Sequence, residues 1–220
     1  MVIGIMGNEG AVIEFVFLGF PTTSPRPSIA ALFAALKSVI SAEKTDSLLG
    51  AYSITPEMGG KDAAEELVNL LEDLTWFHPA RVAADRFRKQ RMRVSEYVLL
   101  EKNPFQGMFE GVSCHALDLA YLQGNPDIFA GTKQEKIVRE MANKLKDTWI
   151  GIAYGEPGWE EGEMRKFGPD GSVGETDREK WWFEGRRGEK WDVFNQLSKE
   201  EAGGVVMVVT GFLGMLIGMG

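Results

Sequence analysis

At 220 residues, with 44% hydrophobic and 25% charged side chains, the chain has the length and apolar content for a sizeable buried core. A formal net charge of −8 argues against nucleic-acid binding, because phosphate backbones select basic surfaces, and leaves a neutral or cationic partner easier to accommodate. The single cysteine, Cys114, permits no internal disulfide and so no disulfide framework.

In chain order, Val2 to Met6 is an apolar run of strand length that ends at Gly7-Asn8 and delivers Glu9 into a tight turn. MVIGIM carries no basic n-region and does not read as a signal peptide. Ala11 to Leu18 has the length of two helical turns, and the loop Phe20 to Pro27, FPTTSPRP, breaks it. From Ser28 to Ala42, Ile29, Leu32, Phe33, Leu36, Val39 and Ile40 recur at helical spacing and predict one helix packed on the body. Lys61 to Leu74 predicts a second amphipathic helix. Its inner face holds Leu67, Leu70, Leu71 and Leu74, with Glu65, Glu66, Glu72 and Asp73 outside. Pro79 opens a third helix to about Gln90, with His78 as a helix-start residue. The basic run Arg86 to Arg93 reads as a solvated helix end that complements the dipole.

Val94 to Leu100, VSEYVLL, has the β-branched, aromatic and apolar residues of a strand. Gly107 to Pro126, GMFEGVSCHALDLAYLQGNP, then puts His115 in a turn just ahead of a short apolar helix. Neutral imidazole takes up and returns a proton near pH 7, which makes His115 a candidate general base. Such a base needs an orienting acid, and Glu9 is the candidate. Read as structure alone, His115 caps a helix and Glu9 is an acid favoured in a first turn by the macrodipole. Their order, an acid after one strand and a histidine after another, fits the back half of the Ser, Asp/Glu, His order of α/β-hydrolases. Cys114 beside His115 raises a Cys-His hydrolase, but adjacent side chains rarely point at each other, so Cys114 reads as a buried packing residue.

At these residues the chain resembles the type-B carboxylesterase family of cholinesterase-like α/β-hydrolases. MVIGIMGNEGAVIEFVFLG is similar to the strand, turn and helix that present the triad glutamate, with Glu9 on that position and Gly10 after it. GVSCHALDLAYLQGNP resembles the histidine segment, with His115 on the base, Asp118 on the acidic position three residues later and Tyr121 on the aromatic one beyond. TKQEKIVREMANKLKDTWIGIAYGEPG resembles the helix that follows, with Trp149 and a Gly155-x-Pro157 turn in the family's places. Ala116 stands where many members have glycine, and Gln123 interrupts the usual aromatic-glycine ending.

The resemblance implies an α/β fold, the C-terminal portion of an α/β-hydrolase, mostly helical with a few strands of a truncated central sheet. It further implies that the Val94 to Leu100 strand pairs with Val2 to Met6. Glu9 would then approach His115, fix its tautomer and stabilise the imidazolium. The family's serine sits on a Gly-x-Ser-x-Gly turn ahead of the acid, and no such string occurs here; Gly111-Val112-Ser113 and Asp170-Gly171-Ser172-Val173-Gly174 lack the pattern and follow Glu9. The expectation is therefore the acid-and-base part of a carboxylic-ester hydrolase, inactive alone. Its substrate would be a small carboxylic ester once the upstream half is supplied, with no metal and no cofactor. A non-catalytic, esterase-like binding or adhesion module is the alternative.

By texture the chain divides into 1–159 as esterase-like, 160–201 as a charged extension rich in tryptophan and glycine, and 202–220 as an apolar tail. Phe167-Gly168-Pro169-Asp170-Gly171 reads as turn, and Lys190 to Leu197 as a docking helix carrying Trp191 and Phe194. WWFEGRR suggests a stacking surface, though the acidic background favours apolar packing. Ala202 to Gly220 is uncharged, long enough to span a bilayer and carries a GxxxG pair at Gly214 and Gly218, so membrane contact through this tail is an expectation. A removed anchor signal, a misplaced gene end and a soluble segment are the other readings.

Overall fold

The computed structural model describes residues 1–7, 28–107, 109–123, 126–184 and 187–216. Glu9, the expected helix over Ala11 to Leu18, the loop Phe20 to Pro27 and Gly218 lie outside the described residues. In chain order the described elements begin β1 (Val2–Met6), α1 (Ile29–Leu36), α2 (Ala42–Ala51), α3 (Gly60–Glu72), a π turn (Asp73–Phe77), α4 (His78–Lys89) and β2 (Ser95–Leu99). They continue with α5 (Leu117–Gln123), a 3-10 turn (Pro126–Phe129), α6 (Glu135–Ala153), β3 (Glu163–Phe167), β4 (Val173–Asp177), α7 (Arg178–Glu184), a second 3-10 turn (Gly188–Gln196) and α8 (Lys199–Leu216). The chain forms two compact units, Met1–Ala11 with Ala80–Gly185, and Val12–Pro79 with Arg186–Gly220.

The first unit is built on a sheet of order β1-β2-β3-β4. β1 runs parallel to β2, Val2 opposite Ser95 and Met6 opposite Leu99, which is the pairing the resemblance implies. β3 is parallel to β2 and antiparallel to β4. All five residues of β2 are buried, so the strand is covered on both faces. Alternation along it turns Tyr97 and Leu99 to one face, where they join Met6 and Phe167 against Leu117 and Tyr121 of α5 and Val138, Met141 and Leu145 of α6.

Glu96 points to the opposite face and is fully buried. Its carboxylate accepts from Arg178 Nε at 2.5 Å and Trp182 Nε1 at 3.2 Å on α7, and pairs with Arg88 Nη2 of α4 at 2.5 Å. A buried carboxylate persists only when paired and hydrogen-bonded, and these three donors provide that. The basic run expected to be solvated therefore sends Arg88 inward, because the adjacent strand buries an acid. Arg178 also reaches Asp85 at 2.6 Å.

β3 and β4 fall within 160–201, the stretch set apart by its charge. A hairpin at a sheet edge needs few apolar residues: Met164 and Phe167 are buried, while Arg165 and Glu175 pair across the strands. Its turn is fastened by Glu101, a buried residue whose carboxylate accepts from Asp170 N at 3.2 Å and Gly171 N at 2.6 Å.

The second unit is helical. The stripe from Ile29 to Ile40 is not one helix. Ser38 Oγ bonds Ala35 O at 2.6 Å as α1 ends, and Ser41 caps α2 by accepting from Lys44 N at 3.2 Å. Glu72 and Asp73, expected outside, are buried. A π turn follows α3, in which His78 N bonds back to Asp73 O. Pro79 has no N–H to donate, so a widened turn ahead of it lets helix continue into α4 where a fresh start was expected. Arg187 compensates the two acids, with Nε 2.9 Å from Asp73 Oδ2 and Nη2 2.8 Å from Glu72 Oε2; Tyr52 Oη donates to Asp73 at 2.7 Å. Burial opposes the Arg187 charge, but its bonds to Asp73 and Glu72 outweigh that and hold the guanidinium more strongly protonated. The 3-10 turn buries Trp191 and Phe194, whose rings meet the edge of His78.

α8 carries most of the apolar tail. It packs against α3 and α1 and buries Val205, Val209, Phe212 and Leu213, each worth roughly 1.5–3 kcal/mol. Among the described residues no helix is long and apolar enough to cross a membrane. Two neighbouring helices cover one side of this run, while Met207 and Met215 stay exposed.

Candidate active site

Parallel pairing brings the C-terminal ends of β1 and β2 to the same edge of the sheet, the place where open α/β sheets bind ligands. Gly7 follows β1, and its N–H donates to Leu99 O at 2.8 Å and to Ser113 Oγ at 3.2 Å. The Ser113 hydroxyl in turn donates to Leu99 O at 2.6 Å. Three segments thus meet at one point: the exit of β1, the end of β2, and the stretch that leads into His115.

The loop after β2 is shaped to return there. Asn103 N bonds Val112 O at 3.1 Å and Gly111 N bonds Asn103 O at 2.8 Å, closing the loop on itself. Asn103 Oδ1 accepts from Phe105 N at 2.9 Å, and Phe105 stacks on Phe129 with ring centroids 5.8 Å apart. His115 is exposed on the turn, whereas Cys114 beside it is buried in the core with Asn103 Nδ2 3.8 Å from its sulfur. One side chain is in the core and the other faces solvent, which fits the packing role expected of Cys114. Ala116 has φ of 61°, a left-handed conformation that favours glycine.

α5 is fixed to the sheet by its first turn. Asp118 Oδ2 accepts from Tyr97 Oη at 2.9 Å, and burial, followed by the charge of Asp118, pushes the Tyr97 phenol far above its ordinary range. Tyr121 is buried, its phenol likewise pushed up by burial and then by Glu101. Trp149 of α6 meets Tyr97 edge-on at 6.2 Å. The residues singled out in sequence as Asp118, Tyr121 and Trp149 therefore bear on the packing that holds the histidine turn. Ser113 and Tyr97 were not singled out. Ser113 was weighed only as the serine of a nucleophile turn, and its hydroxyl is committed to a backbone carbonyl.

Glu9 lies outside the described residues; Gly7, two positions before it, marks where its segment leaves the sheet. A cavity of about 160 Å³ opens in the loop, lined by Lys102, Asn103, Glu110 and Lys133, and His115 is not part of its wall. Among the described residues no group of three His, Cys, Asp or Glu is arranged to hold a metal ion.

No protein-family model matches the chain, and no curated protein does. Two solved structures of PNB esterase do resemble it, with TM-scores of 0.56 and 0.55 at 20% identity. They cover 87% and 86% of this chain and 37% of their own. The likeness shows the fold, a partial α/β-hydrolase corresponding to the C-terminal part of those esterases. The chain spans 37% of the length of the esterases it matches.

Proposed function

We propose that the chain supplies the acid and the base of a serine carboxylesterase, Glu9 and His115, and that the nucleophile and oxyanion hole come from sequence outside these 220 residues. The supporting observation is the junction of Gly7, Leu99 and Ser113. Glu9 follows Gly7 by two positions and His115 follows Ser113 by two, and two residues of chain reach at most about 7 Å. Segments that leave a shared anchor in this way can bring a carboxylate and an imidazole into contact.

In this reading Glu9 holds the Nδ1–H side of the ring, leaving Nε2 to take the proton of an incoming serine and later pass it to the leaving alcohol. The carboxylate stabilises the imidazolium that forms between the two steps. The substrate class is a small carboxylic ester; no cofactor and no metal enters the scheme.

The purified chain should not hydrolyse a short-chain aryl ester, since acid and base without a nucleophile form no acyl-enzyme. Supplied with a segment that bears a Gly-x-Ser-x-Gly turn, it should acquire hydrolysis that His115→Ala and Glu9→Gln both remove. Reconstituted hydrolysis indifferent to His115→Ala would overturn the assignment and favour the non-catalytic module.

A further inference from the structure

We infer that the loop after β2 and the start of α6 form a binding site for a small carboxylate with a short apolar tail. Two cavities, of about 160 and about 300 Å³, adjoin there and share Pro104, Glu110 and Lys133 as a common wall. The smaller is polar, completed by Lys102, Asn103 and Gln134. The larger is lined by Phe105 and Ile128. Phe105 is fixed by stacking on Phe129, while Ile128 is 38% exposed, so apolar surface meets solvent beside a charged wall. His115 lines neither cavity, and the inference is independent of the acid–base reading.

The class of ligand follows from which polar groups at this corner remain uncommitted. Asn103 Oδ1 accepts from Phe105 N at 2.9 Å, and Thr132 Oγ1 donates to Phe129 O at 2.9 Å. The Glu135 carboxylate accepts from Gly131 N at 2.9 Å and pairs with Arg139 Nη2 at 2.8 Å. Among the described residues Lys102 has no ion-pair partner, and Gln134 heads α6 without a side-chain cap. Lys133 pairs with Glu110 at 2.7 Å, but both are accessible, and such a pair is exchanged at little cost. Two ammonium groups thus stand against one carboxylate, an excess of donors that selects a monoanionic acceptor. A carboxylate head fits the polar cavity, and a straight alkyl tail passing Lys133 covers Phe105 and Ile128. Each methylene so covered is worth roughly two- to fourfold in affinity. A phosphate would satisfy the ammonium groups and leave the apolar cavity unfilled.

The test is a titration of the full ¹⁵N-labelled chain with acetate, butyrate and hexanoate, compared with hexanol, hexylamine and inorganic phosphate. Hexanoate should bind saturably and move the amides of Lys102, Asn103, Lys133 and Gln134. Affinity should climb from acetate to hexanoate by roughly two- to fourfold per methylene. Hexanol and hexylamine should not saturate in the same range, and phosphate should bind no more tightly than acetate. Lys102→Ala and Lys133→Ala should each weaken hexanoate by about fivefold, and Glu110→Gln, which releases Lys133, should tighten it. Ile128→Ser should flatten the chain-length series and leave acetate unchanged. All four side chains are exposed, so the variants should keep the wild-type unfolding midpoint; Lys102→Gln and Lys133→Gln replace a lysine variant that does not. Absence of saturable hexanoate binding overturns the site, and so does binding that both lysine variants retain in full. Equal affinity for acetate and hexanoate, or tighter binding of phosphate than of hexanoate, overturns the ligand class.

Discussion

Gly4 and Tyr97 face each other across the β1–β2 pairing, and the Tyr97 ring lies where a side chain on Gly4 would stand. A Cβ at that position would overlap the phenol carbon and oxygen that reach Asp118. The glycine thus admits the ring that fixes α5. Gly4→Ala should lower the unfolding free energy by about 1–3 kcal/mol, as overpacking does. In a Tyr97→Ala background the same change should cost little, a coupling of about 1–2 kcal/mol in a denaturant-unfolding cycle. Equal cost in both backgrounds would mean that the ring is not what Gly4 accommodates.

Ala116 holds a left-handed backbone directly after the exposed histidine. For a residue with a Cβ that conformation costs about 1–2 kcal/mol, and glycine escapes it at an entropic cost of about 0.5–1 kcal/mol. Ala116→Gly should therefore stabilise the chain by up to about 1 kcal/mol, while Ala116→Val destabilises it. Urea midpoints of the three forms test the order; a destabilised glycine variant contradicts it.

How much of this was legible in sequence depends on the element. VSEYVLL announced β2 through its β-branched, aromatic and apolar residues, despite the buried Ser95 and Glu96 it also carries, and the resemblance supplied its partner, β1. β3 and β4 were hidden, since an edge hairpin can satisfy itself with Met164, Phe167 and a cross-strand Arg165–Glu175 pair amid charge. Asp73 and Glu72 defeated the helical wheel because charge was read as exposure, whereas Arg187 and Tyr52 from distant segments pair with them and cover them. The apolar tail is ambiguous in sequence for a different reason: composition is the same whether lipid or neighbouring helices cover an apolar helix. At the site, residue type alone pointed to His115. Ser113 acts through two backbone contacts that residue type cannot reveal.

Glu96 is the buried acid on which α4 and α7 converge. Glu96→Gln keeps the shape but leaves Arg88 and Arg178 facing each other without their shared carboxylate. Breaking a buried pair from one side costs about 3–5 kcal/mol. The loss should persist at high salt, since buried pairs are poorly screened. Lys133→Ala, which removes an exposed pair with Glu110, should leave the unfolding midpoint unmoved. A Glu96→Gln variant as stable as wild type would show that the cluster is solvated in solution.

α8 begins with a reciprocal cap that sets an acid limit on the helical unit. Ser198 Oγ accepts from Glu201 N at 3.2 Å, and the Glu201 carboxylate accepts from Ser198 N at 2.8 Å and from Lys44 Nζ at 2.7 Å. The Lys44 bond, and then the Ser198 amide, hold the Glu201 carboxyl below its ordinary value near 4.5. A depressed carboxyl stabilises the fold above its unfolded value, and that contribution disappears as pH falls through the folded one. Wild-type stability should thus decline on acidification more steeply than that of Glu201→Gln, which carries no proton-linked term at this position. Unfolding midpoints followed from about pH 6 to about pH 3 give the comparison. Parallel acid limbs would mean that the cap and its lysine make no linked contribution to holding α8 in place.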